Sequence, residues 1–105
     1  MTRSKRFDEL VEEIKKLHEM KNRDYAEEDD ALSNFRIAER FGIPAWKGCL
    51  VRISDKFSRI CQLATKSEPS VKSETIIDTL KDLATYSLIC IELYEQWQGA
   101  EANPT

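Results

Sequence analysis

Residues 74–97, ETIIDTLKDLATYSLICIELYEQW, constrain the fold more than any other stretch of the chain. Apolar residues recur at helical spacing and, in the second half, on nearly every side. Leu88, Ile91 and Tyr94 lie on one side of the helix, Ile89 and Leu93 on the other. A helix that is apolar all round must be covered on more than one side. In a chain of 105 residues a single core is small. The pattern therefore predicts packing against the rest of the subunit and against a neighbour, and so a homo-oligomer, a dimer or a tetramer.

The same helix carries Glu74, Asp78 and Asp82 at steps of four, a spacing that aligns like charges in one column and makes them repel. Counting back from Ile89 and Leu93 by threes and fours reaches Tyr86, Asp82 and Asp78. The two aspartates thus continue a buried stripe, and the solvent face runs through Lys81, Thr85 and Glu92. Glu74, in the first turn, can simply serve the helix dipole. Covered carboxylates need cations, metals or hydrogen-bond donors.

The rest of the chain also reads as helices. A 3-4 apolar pattern over about 4–23 (Phe7, Leu10, Val11, Ile14, Leu17) predicts helix one. The acidic run Glu27–Asp30 predicts a loop with Asp30 as N-cap for a second helix over about 31–41. FGIP is a stop, because Gly42 takes the left-handed position and Pro44 bars continuation. Helix three covers about 45–66, with a core stripe of Trp46, Cys49, Leu50, Ile53, Phe57, Ile60, Cys61 and Ala64. SEPSVK predicts a loop, Ser73 an N-cap, and about 74–97 the fourth helix. The expectation is an all-α domain of four helices over 1–98, an oligomeric bundle, with a disordered tail over 99–105.

Composition excludes several classes. A net charge of −3 disfavours binding to a nucleic-acid backbone. Three widely spaced cysteines, Cys49, Cys61 and Cys90, each in an apolar context, read as reduced packing residues, and His18 reads as surface. No apolar run reaches membrane-spanning length and the N-terminus lacks an apolar signal-like core, so a cytoplasmic protein without a membrane partner is expected.

Two stretches carry chemistry. In RISDKFSR, Arg52, Asp55 and Arg59 share one helical face with Lys56 beside them. One reading is a ladder of ion pairs within helix three and across to Asp78 and Asp82. The other is a polyphosphate site, in which the acids hold Mg²⁺ and Arg52, Lys56 and Arg59 meet phosphate oxygens. In KNRDYAEEDDALSNF, Lys21, Asp24, Tyr25, Asn34 and Phe35 mix charge, amide and aromatic groups suited to a base and ribose. Core packing by Tyr25 and Phe35, with Asn34 as a cap, is the alternative.

The blocks KNRDY, LSNFR, RISDKFSRI and DTLKDLATY occur in this order over about residues 21–91. Together they resemble the nucleotide modification associated domain 1 family of phages and bacteria, whose members show K-x-x-D-Y, N-F, R-x-x-D-K-x-x-R and D-T-L-x-D-L-A-x-Y. Ala26 stands where a glycine is common in that family. A looser similarity, in helix count and acidic helices alone, is to the MazG-like all-α nucleoside triphosphate pyrophosphatases. Their E-E-x-x-E and E-x-x-D hallmark is not matched, since Lys16 follows Glu12-Glu13 where the third glutamate belongs.

The resemblance implies a nucleotide-handling protein of phage or prophage metabolism, possessing, on the sharpest reading, Mg²⁺-dependent pyrophosphohydrolase activity. Asp78, Asp82, Asp55 and Glu74 would then be metal ligands, with Asp55 and Asp82 catalytic. Arg52, Lys56 and Arg59 would bind phosphate, while Lys21, Asp24, Tyr25 and Asn34 would bind the nucleotide. A non-catalytic nucleotide-sequestering protein and a purely structural helical module are the competing expectations.

Overall fold

A computed structural model describes residues 2–25, 35–65 and 69–102, with the side chains of 21–25, 69–75 and 102 outside the description. The chain divides into two units, Met1–Asn34 and Phe35–Thr105. Among the described residues there are three α-helices and one 3-10 helix but no strand. The all-α expectation holds.

In the first unit, α1 spans Lys5–Tyr25. Ser4 caps it, its hydroxyl oxygen accepting a hydrogen bond from the Phe7 amide at 3.0 Å, which satisfies one of the donors that a helix start leaves open. Asp8 in the first turn complements the dipole. Arg6 bridges Glu9 and Glu13 at 3.2 Å each, and these carboxylates hold its guanidinium pKa above the ordinary value. On the expected apolar face Leu10, Val11, Ile14 and Leu17 are half-buried, while Phe7 is exposed. His18, expected at the surface, is half-buried too.

The second unit is an antiparallel helical hairpin. Its 3-10 helix, Ile37–Phe41, leads to α2, Ala45–Ala64, and α3, Pro69–Ala102. The α-helix expected over about 31–41 is corrected here: its described portion is wound as 3-10, and residues 31–34 lie outside the described residues. Gly42 closes the 3-10 helix in the left-handed conformation at φ 75°, its amide and that of Ile43 returning to the carbonyls of Glu39 and Ala38 at 3.1 Å each.

Gly48 is required by contact. A Cβ placed there would lie 2.8 Å from the Ala38 Cβ, so the 3-10 helix rests on the bare backbone of α2. Further on, α3 corrects three expectations. It starts at Pro69, a residue preorganised for the first helical position, so Pro69–Lys72 are helical and Ser73 lies inside the helix. At the other end the helix continues to Ala102, through much of the tail expected to be disordered.

The hairpin interior is narrow. Phe35, Ala45, Cys49, Ile89 and Leu93 are its buried hydrophobics. The thiols tie the helices reciprocally: Cys49 donates to the Tyr86 carbonyl at 3.4 Å and Cys90 to the Trp46 carbonyl at 3.5 Å. All three cysteines are free, as expected, but Cys61 is exposed. Burial pushes the Cys49 thiol up from 9.0 to about 11, with neighbouring Cys90 adding to the shift. Trp46, Tyr94 and Trp97 form a cluster with ring centres 5.0–5.8 Å apart, which makes both tryptophans packing residues.

The expected core stripe of α2 was too wide. Trp46, Ile53 and Ile60 are half-buried beside Cys49, whereas Leu50, Phe57, Cys61 and Ala64 are exposed. Helical periodicity fixes which residues share a face; the single facing helix covers only part of it. No helix among the described residues is long and apolar enough to cross a membrane.

Candidate functional site

The polar ridge of the hairpin is built from the middle of α2 and the first half of α3. Their antiparallel course sets Lys56 opposite Asp82, and the ammonium donates to the carboxylate at 2.9 Å. The pair is half-buried, with side chains 30% and 18% exposed. At that cover the attraction is only partly screened, and losing either partner leaves a costly lone charge. Asp82 therefore lies where the stripe analysis put it. Asp78 does not: it is exposed, one turn nearer the helix start. Lys81 and Thr85, expected on the solvent face, are half-buried, the Thr85 hydroxyl donating to the Lys81 carbonyl at 2.9 Å.

Arg52 occupies an unusual position. Its guanidinium lies 5.0 Å from the Phe35 ring centre and 6.0 Å from that of Tyr86. These rings meet edge to face at 6.0 Å. Phe35 is buried, so the platform is anchored while the cation remains exposed. Ring faces attract a guanidinium and orient its plane. Among the described residues no carboxylate pairs with Arg52, and the ladder of ion pairs expected along α2 is not formed around it. Asp55 and Arg59 are exposed on the same helix.

The residues read from the sequence thus divide. Lys56 and Asp82 are brought together, with Arg52 one turn of α2 away from Lys56. Asp55, Arg59 and Asp78 stand at the surface. The side chains of Lys21, Asp24, Tyr25 and Glu74, and all of Asn34, lie outside the described residues. Of the two readings of Phe35, the structure bears out core packing, although the same ring carries Arg52.

The described carboxylates do not form a ready cradle for Mg²⁺. No three His, Cys, Asp or Glu among the described residues are grouped to share an ion, and Asp82 is already matched by Lys56. A hard cation of this kind uses oxygen ligands gathered around one point.

Sequence reasoning missed a concavity at the open end of the hairpin. A cleft of about 340 Å³ lies between the Gly42–Ala45 turn and the end of α3, walled by Leu93 and Trp97. Arg36 spans its rim, donating to the Gln96 side-chain oxygen at 2.6 Å and pairing with Glu39 at 3.6 Å. The separation of 60 residues between Arg36 and Gln96 left no local pattern by which to find it. Comparison with family models, with curated proteins and with solved structures returned no match to this chain.

Proposed function

We propose that the chain is a nucleotide-handling protein whose α2 ridge receives the phosphates. The observation that supports this reading most is Arg52: an exposed guanidinium, held beside the Phe35 and Tyr86 rings, carrying no carboxylate among the described residues. In a chain of net charge −3, an exposed arginine that no described carboxylate matches is a place for an anion brought from outside. Arginine meets phosphate oxygens through two parallel N–H donors. Lys56 and Arg59, on the same helix, add positive charge. Lys56 would share itself between Asp82 and the incoming phosphate.

Binding without chemistry is the reading the site favours over hydrolysis. Asp82 is engaged by Lys56, and a catalytic Mg²⁺ would have to displace that ammonium or arrive already bound to the nucleotide. The phage or prophage setting, the identity of the base and the pyrophosphohydrolase reaction belong to the same proposal through the sequence resemblance alone.

The test is thermal melting with ATP, the four dNTPs and pyrophosphate, each with Mg²⁺ and with EDTA, followed by chromatography of the products. A ligand present at 100 times its Kd stabilises by about 2.7 kcal/mol, so a rise in Tm of several degrees is expected. Arg52→Ala should abolish that rise while leaving the unliganded Tm nearly unchanged. Consumption of a triphosphate would establish the enzyme. No shift with any phosphate compound would sink the proposal and leave a structural module.

A further inference from the structure

The outer side of α3 is a second apolar face, opposite the one packed on α2. Ile77, Leu80, Ala84, Ser87 and Ile91 follow one another at steps of 3, 4, 3 and 4 residues, and the next step reaches Tyr94, at the margin of this face, whose ring also packs on Trp46. This is the seam spacing that lets two helices interlock side chains while crossing at a shallow angle. The large side chains of this seam, together with neighbouring Leu88, are 38–60% exposed. From Ile77 to Tyr94 the seam runs roughly 26 Å at 1.5 Å per residue. Ala84 and Ser87 sit at its centre, where small side chains allow close approach of a second helix.

Charge complementarity says what covers it. Along one edge of the seam stand Lys81, Leu88 and Glu95, each seven residues from the next. When two such helices pair in antiparallel fashion about a two-fold axis near Leu88, this edge faces itself. Lys81 then meets Glu95 of the second copy, Glu95 meets Lys81, and Leu88 meets Leu88. A parallel pair would bring this edge against the opposite one, which carries Leu83, Cys90 and Trp97 and offers no charge for either. A row that is basic at one end, acidic at the other and apolar in the middle is complementary to its own reverse.

We propose that the outer seam of α3 is a self-association surface, pairing antiparallel with the same seam of a second copy. The hairpin thereby becomes half of a four-helix arrangement, in which the Ala84–Tyr94 part of the seam meets its own copy and Ile77 and Leu80 lie against the last turns of the partner helix. This assignment is independent of nucleotide binding.

Light scattering on the intact chain, with Cys61→Ser to remove the exposed thiol, should give twice the chain mass at micromolar concentration. In that background Leu88→Cys should form an intermolecular disulfide under mild oxidation, and Ile77→Cys should not. Lys81→Glu should weaken the dimer about tenfold or more, the scale expected when paired edge charges become like charges. Adding Glu95→Lys should restore it, which a folding defect would not allow. A monomer at all concentrations, cross-linking at Ile77 in place of Leu88, or failure of the charge swap to restore association would each overturn the proposal.

Discussion

The two ends of the α2–α3 hairpin are joined by different physics. At one end Trp46, Tyr94 and Trp97 gather within 5.0–5.8 Å, and Leu93 is buried close by. Further along, the join is a half-buried ammonium and carboxylate. Apolar contact is insensitive to salt and adds up with area, whereas an ion pair responds to screening and to any competing charge. Stability is therefore concentrated at the aromatic end, and the ridge is the part that can answer to a ligand.

Truncation at the aromatic end should produce the largest loss. Leu93→Ala truncates a buried side chain and is expected to cost about 2–5 kcal/mol, read as the change in denaturation midpoint. If it costs less than Lys56→Met, the two ends have been ranked wrongly. Next comes the close contact beneath the 3-10 helix. Gly48→Ala should destabilise by about 1–3 kcal/mol through overpacking, despite the better helix propensity of alanine. Ala38→Gly in the same chain should recover part of the loss, because the Cβ that clashes at 2.8 Å is then gone.

A pH titration probes the interior between the two ends. The Cys49 thiol is raised to about 11, so the folded state keeps a proton that the unfolded chain releases near 9. Its contribution is fully present below pH 9 and is lost as pH rises towards 11. Cys49→Ala should flatten that part of the stability profile relative to wild type, measured by urea melts from pH 8 to 11. Finally, Lys56→Met should cost about 1 kcal/mol, between the values typical of exposed and buried pairs. Since the salt-sensitive interaction is already gone in the variant, the gap to wild type should narrow in 1 M NaCl.

The sequence was most legible where local chemistry decides. The Gly42 stop, the α2 start after Pro44 and the burial of Cys49, Ile89 and Leu93 all follow from spacing and turn chemistry. Pro69 misled, because the residue that ends helices is also favoured in their first turn, and α3 begins there. Asp78 and Asp82 stand one turn apart, yet it is Thr79, not Asp78, that is buried one turn before Asp82. Counting by fours drifts around the helix, and the covered line here runs through Thr79, Asp82, Ile89 and Leu93. The Arg52 platform was invisible for another reason, since Phe35, Arg52 and Tyr86 come from three separate elements and meet only when the hairpin closes.

The placement of Arg52 over two rings has a consequence for selectivity. A guanidinium held beside aromatic rings keeps its hydrogen-bonding capacity along its rim, in one plane. A spherical ion such as chloride makes poor use of a rim, while an anion with two adjacent oxygens fits along it. Phosphate or sulfate should therefore compete at this position far better than chloride of equal ionic strength, and lysine at position 52, a point charge without a plane, should not distinguish them.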